Sequence, residues 1–254
     1  MDEILVSFLM PTRDFPQETL NSLKSIINNS SDTIDYEILM ALDFDDIENI
    51  NNIPQMYELF NKTKCGSIQI LITERYYYYS LHKYYNQLAK MSKGNLLLLW
   101  NNDAICLETN IFGKTTYWDE TLQQDYNNLE PYVALLYPIE VYPEENTRGG
   151  PPHLSNCGFP IILRDIYELI GYYSISPLND AYLTNICNFK IDNYSTIKIS
   201  RFMIGHHSPS EGGITQQETF QKASKIHYSD EIQRRTLHDR GVVEEYLRRI
   251  INEK

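Results

Sequence analysis

The polar residues best placed to do chemistry stand at the ends of apolar runs. Leu96 to Trp100 reads LLLLW and stops at Asn101-Asn102-Asp103. Ile4 to Met10 (ILVSFLM) stops at Pro11-Thr12-Arg13, and Tyr36 to Leu42 (YEILMAL) stops at Asp43-Phe44-Asp45-Asp46. Runs that are apolar on both faces belong in the middle of a covered, mostly parallel sheet, and such sheets place ligand groups just beyond their strand carboxyl ends. Asp103 therefore sits where a metal or a nucleotide would bind, and the three tips are expected to converge. Asp180, in PLNDAYL, and His206-His207, which close ISRFMIG, are the other acid and imidazoles in positions of interest. Neighbouring strand residues point to opposite faces, so only one of the two histidines can face a given site. Plainer roles compete with these. Asp45, Asp46 and Asp180 can each cap the helix that follows.

The elements that must position these groups follow a regular order. The first run and the helix Pro16 to about Asn28, with Leu20, Leu23, Ile26 and Ile27 on one face, form a βα unit. Tyr36 to Leu42 is a second strand, Ile53 to Phe60 a helix, Ser67 to Thr73 a third strand and Leu81 to Met91 a third helix. Ser92-Lys93-Gly94-Asn95 supplies a helix stop and a turn into the fourth strand, LLLLW. This alternation implies a parallel sheet with right-handed crossovers. Beyond Asp103 the rhythm changes. Tyr117 to Leu122, Tyr132 to Tyr137 and Phe159 to Leu163 read as isolated strands or short turns, and the loop Glu144 to Asn156 has the length of a lid or binding loop. Asp165 to Gly171 and Asn179 to Cys187 read as helices and Ser195 to Ile204 as a late strand. The chain from Gln216 onward reads as a charged helical tail.

The chain has 254 residues, enough for one α/β domain with a helical appendix. A formal charge of -12 and a pI near 4.9 argue against nucleic acid, whose binders need a basic face. No apolar run approaches the roughly 20 residues of a membrane span, and Asp2-Glu3 stand where a secretory signal would be basic. The expectation is a soluble, cytoplasmic protein. Cys65, Cys106, Cys157 and Cys187 form no CxxC pair and read as reduced thiols.

The strand tips and their order resemble the GT-A glycosyltransferases, most closely the inverting family 2 type. The matching stretches are VSFLMPTRDFPQETLNSLKSI, YEILMALDFDD, NQLAKMSKGNLLLLWNND, CGFPIILRDIYELIGYYSISPLNDAYL and MIGHHSPSEGG, which cover roughly residues 4 to 213. The resemblance implies an α/β, Rossmann-like, mostly parallel sheet flanked by helices. It implies a transferase domain over residues 1–213, with a nucleotide-binding half (1–104) and an acceptor half (105–213), and a C-terminal helical extension over 214–254. It assigns the nucleotide to Pro11, Thr12, Arg13, Asp43, Asn86 and Asn102, with Asp43 accepting a hydrogen bond from the base. It assigns a Mn²⁺ or Mg²⁺ ion to Asp103, Asn101 and one of His206 and His207, since such hard ions prefer carboxylate, phosphate and water oxygens. Asn101 stands where the DxD motif of that family has its first acid, and Asn179 stands before Asp180 where a second acid is usual. Asp180 takes the place of the catalytic base. Arg75, Arg148 and His153 are lesser candidates for diphosphate or acceptor contacts, and Tyr76 to Tyr79 offer either stacking faces for a sugar or ordinary packing at the sheet edge.

The implied activity is metal-dependent transfer of a sugar, with inversion, from a nucleotide-diphosphate donor such as a UDP-sugar to an acceptor hydroxyl. Two other readings stand beside it. A nucleotidyltransferase shares the α/β start but normally carries a glycine-rich loop after its first strand, and Pro11-Thr12-Arg13-Asp14 has no glycine. A catalytically silent sugar-binding or scaffold module would explain Asn101 and Asn179. The charged C-terminal run, with Arg234, Arg235, Arg248 and Arg249, fits a solvated face or a self-association surface.

Overall fold

A computed structural model of the chain describes residues 4–111, 114–141, 157–206 and 214–253. The first half is the expected alternation: β1 (Val6–Thr12), α1 (Pro16–Asn28), β2 (Tyr36–Asp43), α2 (Ile47–Asn51), α3 (Ile53–Phe60), β3 (Gly66–Thr73), a 3-10 turn (Tyr78–Ser80), α4 (His82–Met91) and β4 (Leu96–Leu99). The second half is more irregular. It comprises β5 (Ala104–Cys106), β6 (Thr109–Ile111), β7 (Lys114–Thr116), α5 (Trp118–Asn127), β8 (Leu135–Val141), β9 (Ile161–Leu163), α6 (Arg164–Ile170), α7 (Asn179–Cys187), β10 (Lys190–Ile191), β11 (Tyr194–Ser195) and β12 (Ile197–His206). The tail is two helices, α8 (Ile214–His227) and α9 (Asp230–Asn252).

Eight strands form one sheet in the order β3-β2-β1-β4-β9-β8-β12-β5. The pairs β3/β2, β2/β1, β1/β4 and β8/β12 are parallel, whereas β9 runs antiparallel to both β4 and β8, and β5 antiparallel to β12. The three tips of interest thus belong to adjacent parallel strands. The leucines of β4 and Trp100 are buried, as a strand covered on both faces requires. Trp100 meets Phe8 edge-on at 5.2 Å, Phe8 meets Trp118 at 5.0 Å, and Trp118 meets Tyr36 at 5.1 Å, an aromatic seam across one face of the sheet.

A buried polar network fixes where β4 begins. Glu37 accepts hydrogen bonds from Ser7 Oγ (2.7 Å) and the Lys93 amide (2.5 Å), and Ser7 Oγ accepts from the Gly94 amide at 2.8 Å. Arg164 then closes on the Gly94 carbonyl and Ser92 Oγ. A Cβ at Gly94 would lie 2.6 Å from the Ser7 backbone nitrogen, so glycine is required there by space.

The reading of Tyr117 to Leu122 as strand or turn is corrected: Trp118–Asn127 is an α-helix. Its inward face includes Asp119, Thr121 and Asp125, which breaks the apolar stripe. Asp119 accepts from the Ser31 amide at 2.9 Å and from the Ser30 and Ser31 hydroxyls, and Asp125 accepts from Ser200 Oγ at 2.6 Å. The tail packs on the body. The buried side of α9 carries Thr236, Asp239, Val243 and Leu247 and faces α6 and α7, where the Tyr172 and Tyr182 hydroxyls donate to Asp239 at 2.5 and 2.8 Å. All four cysteines are free, and among the described residues no helix is long and apolar enough to cross a membrane.

Candidate active site

A cavity of 960 Å³ opens at the carboxyl ends of β1 and β2. Pro11, Thr12, Arg13, Asp43 and Asn102 line it, which gathers five of the six nucleotide candidates. Asp43 ends β2 almost fully buried. Arg13 Nη1 donates to its Oδ2 at 2.8 Å and to Asp45 Oδ1 at 2.6 Å, and the Tyr84 hydroxyl donates to Asp43 Oδ1. The bond to Asp45 is the main reason the Arg13 guanidinium holds its proton even more firmly than usual, and the same bond keeps the Asp45 carboxyl below its ordinary range. Burial, then the bond to Asp43, pushes the Tyr84 phenol up.

Asp45 and Asp46 divide the work that capping alone would have given them. Asp45 faces Arg13 and, at 3.6 Å, Arg75. Asp46 caps α2, accepting from the Asn49 amide (3.3 Å) and Asn49 Nδ2 (2.8 Å), and it also accepts from the Asp14 amide at 3.1 Å. That last bond ties the β1 tip to the β2 tip across a strained turn. Asp14 (φ 54°) and Phe15 (φ 49°) are both left-handed, and Tyr77, across the cavity, sits at φ 60°, ψ 163°, a region that side chains other than glycine rarely occupy. Backbone strain of this kind concentrates at ligand sites, and here it rims the cavity.

At the β4 tip, Asn102 faces the cavity, whereas the Asn101 side-chain oxygen accepts from the Tyr85 hydroxyl at 3.0 Å. Asp103 and Asp180 share an electrostatic neighbourhood. Burial lifts the Tyr78 and Tyr85 phenols, and the charges of Asp180 and Asp103 lift both further. Two acids some 77 residues apart in sequence therefore act on the same two phenols. Asp180 occupies the first turn of α7, whose N-cap, Leu178, makes no side-chain capping bond. Burial pushes the Asp180 carboxyl up, Glu140 adds to that, and the backbone amides of Ala181 and Asp180 oppose it. Glu140, near the end of β8, is an acid that sequence reasoning missed. It accepts from the Gly158 amide at 2.5 Å, and its place at the polar end of ALLYPIE is the signal that could have found it.

The backbone of His206 pairs with Ala104, which sets it beside the residue following Asp103. His207, Arg148, His153 and the loop Glu144 to Asn156 lie outside the described residues. Asn86 does not line the cavity. Its Oδ1 accepts from the Tyr173 and Ser174 amides (2.7 and 3.0 Å) and its Nδ2 donates to the Ser174 carbonyl at 2.6 Å, so it clamps α4 to the segment leading into α7. It borders a second, shallower cleft of 750 Å³ beside α9. Arg75 lies over the Tyr77 ring, and Tyr77, Tyr78 and Tyr79 line the cavity, so the tetratyrosine run serves the site as well as the sheet edge.

Among the described residues no group of three or more His, Cys, Asp and Glu side chains is placed to hold a metal. The donor set still suits one binding mode of a hard divalent ion. Mg²⁺ is commonly held by one or two carboxylates, with substrate phosphates and waters completing the shell, and Asp103 is the residue at the β4 tip that would offer such a carboxylate.

No protein-family model matches the sequence, and no curated protein matches it at the sequence level. Solved structures do match its fold. The mannosyltransferase PcManGT from Pyrobaculum calidifontis, in complex with GDP-Man and Mn²⁺, aligns with TM-score 0.63 and 14% identity over 97% of this chain and 70% of its own. S. aureus TarS 1-349, solved with UDP, aligns with TM-score 0.54 and 15% identity over 96% of this chain and 71% of its own. Likeness at these identities speaks to architecture. The chain has the GT-A-like fold that its strand tips resemble: parallel β3-β2-β1-β4 with a cavity at their carboxyl ends, extended by a mixed second half.

Proposed function

We propose that the chain is a glycosyltransferase that moves a sugar from a nucleotide-diphosphate donor, a UDP-sugar, to an acceptor hydroxyl with inversion. One observation carries this reading: Pro11, Thr12, Arg13, Asp43 and Asn102, from the tips of three adjacent parallel strands, line a single cavity. In this reading Asp43 accepts an N–H of the base. A carboxylate has about four acceptor positions, so the bonds from Arg13 and Tyr84 leave room for a third and aim the group. Pro11 and Thr12 flank the base and ribose. Asp103, with Asn101 and one of His206 and His207, would hold Mn²⁺ or Mg²⁺, which neutralises charge on the departing diphosphate.

Asp180 is the general base. The acceptor oxygen attacks the anomeric carbon as its proton passes to the Asp180 carboxylate, and the bond from that carbon to the diphosphate oxygen breaks with its electron pair on the leaving group. A single displacement of this kind inverts the centre. Burial raises the proton affinity of Asp180, which improves a carboxylate as a base near neutral pH. The four free cysteines and the absence of a membrane-spanning helix among the described residues support a place in the cytoplasm. Residues 1–213 supply the strand tips and the candidate base, and α8 adds Thr219 and Phe220 to the cavity.

Isothermal titration with UDP and Mn²⁺ tests the donor half of the reading: the wild type binds, and Asp103→Ala binds at least tenfold more weakly. Equal binding by the two proteins, or none by the wild type, refutes it. Slow hydrolysis of a UDP-sugar, lost in Asp180→Asn while UDP binding survives, tests the catalytic half. A second reading, a binding module without turnover, draws on the Asn101 amide being held by Tyr85, and UDP binding without hydrolysis in the wild type would favour it.

A further inference from the structure

Helix α8, beyond the span that the sequence resemblance covers, borders the same cavity: Thr219 and Phe220 line it together with the strand tips. The far end of α8 is anchored, because His227 is buried and its Nδ1 lies 2.7 Å from Ser176 Oγ, on the segment that leads to Asp180. The near end meets the tetratyrosine run through a four-tier stack. Arg75 lies 4.4 Å from the Tyr77 ring centre, Tyr77 and Tyr79 stack at 5.5 Å with planes 4° apart, and Lys222 Nζ sits 3.8 Å from the Tyr79 ring centre. Cations on the outer faces of two stacked rings are attracted by the ring quadrupoles, so the stack joins α8 to the loop after β3. It also braces Tyr77 in its strained backbone conformation.

Three rings on this lip stay about half exposed: Tyr77 at 49%, Tyr78 at 44% and Phe220 at 52%. A cluster of large apolar faces around one cavity is the mark of a surface that a ligand covers. We infer that α8 is a working wall of the donor cavity, latched to the tetratyrosine lip by Lys222, with Phe220 as the ring that closes over a bound sugar nucleotide. Lys222 acts as a positioning residue through Tyr79, and Phe220 touches the ligand. The inference rests on the donor reading for its ligand and on the stack alone for its latch.

Two measurements separate these dependencies. Hydrogen exchange on the ligand-free protein reads the latch: Lys222→Gln speeds amide exchange in residues 77–81 and in the first two turns of α8, Lys222→Arg restores protection, and the melting temperature stays near that of the wild type. Unchanged exchange in Lys222→Gln overturns the latch, whatever UDP does. Titration with UDP and Mn²⁺ reads the wall: Lys222→Gln binds about twofold to fivefold more weakly, the range of an exposed cation–π contact, and Phe220→Ala about tenfold more weakly. Affinity unchanged in both variants, in a wild type that binds, overturns the wall. A wild type that binds no UDP fells the donor reading and the wall with it, while the exchange result still decides the latch.

Discussion

Tyr84→Phe removes one oxygen atom and should be felt by both the stability of the protein and its affinity for nucleotide. The Tyr84 hydroxyl, on buried α4, donates to the Asp43 carboxylate and accepts from the Tyr76 amide at 2.7 Å. A hydrogen bond to an ionised group contributes about 1.5–3 kcal/mol and one between neutral groups about 1 kcal/mol, so the loss amounts to about 2–4 kcal/mol. For a chain of this size each kcal/mol moves the melting temperature by roughly 2–4 °C, giving a drop of about 5–15 °C. Urea denaturation and calorimetry of the two proteins measure it directly. Because Arg13 shares Asp43, Tyr84→Phe and Arg13→Met should be non-additive by at least about 0.5 kcal/mol in a double-mutant cycle. UDP should also bind more weakly, since Asp43 loses one of the two groups that aim it. A variant within about 0.5 kcal/mol of wild type, with additive behaviour against Arg13→Met, would show that the Asp43 cluster does not hold the strand tips together.

Asp180→Asn should melt at a higher temperature than wild type at pH 7 while losing donor hydrolysis. The folded state holds the Asp180 proton more tightly than the unfolded chain does, so ionisation opposes folding above the raised pKa; the advantage of Asn should shrink as the pH falls through it, and a melting series from pH 3 to 8 reads this. In activity, the acidic limb of the pH profile should lie above the ordinary carboxylate range, and a limb at or below that range would remove Asp180 as the base. Gly94→Ala should destabilise by about 1–3 kcal/mol, because its Cβ meets Ser7 and Val6 backbone atoms inside 3 Å; a wild-type melting temperature would refute the spatial argument. Asn86→Ala should lower the hydrolysis rate more than it weakens UDP binding, since Asn86 grips the Tyr173-Ser174 backbone ahead of Asp180 and stands apart from the cavity; a selective loss of UDP affinity would return it to the nucleotide.

The parallel half was legible because its strands are buried on both faces, so hydrophobic run and turn alternate with little ambiguity, and the alternation of strand and helix implied parallel pairing. The second half was not, and α5 shows why. Its inward positions alternate apolar with acidic, and Asp119 and Asp125 are satisfied by Ser30, Ser31 and Ser200, partners between 75 and 89 residues away that no local pattern reveals. The tail was legible only in part. Arg234, Arg235, Arg248 and Arg249 are exposed, as a solvated face requires, yet Asp239 between them is buried under Tyr172 and Tyr182, and the break at Tyr228-Ser229 turns one expected helical run into two. In the site, residues at strand tips could be named because topology alone gathers them. Asn86 and Glu140 could not be placed, since their roles depend on which backbone amides happen to face them.

Asn101 changes meaning once its partner is known. Read alone, it is a lost charge where an acid would stand. In the fold its side-chain oxygen accepts from Tyr85, whose hydroxyl also lies 3.1 Å from the Trp100 carbonyl and whose phenol burial and nearby acids keep protonated. An aspartate at this position would put a third carboxylate beside Asp103 and Asp180, the two acids whose charges already act on that phenol, and like charges in a half-buried space raise one another's proton affinity. The amide keeps the β4 tip hydrogen-bonded without that repulsion. It leaves Asp103 as the charged member of the tip, so in the proposed transferase the donor diphosphate would supply most of the oxygens around a divalent ion. Asn101→Asp should therefore strengthen Mn²⁺ binding in the absence of nucleotide and shift the acidic limb of donor hydrolysis upward, since Asp180 would lose its proton less readily beside an added charge. Titration of Mn²⁺ alone and a pH profile of the variant measure the two effects. A variant that gains no Mn²⁺ affinity and keeps the wild-type profile would place Asn101 outside the chemistry and leave it as the cap of a buried strand.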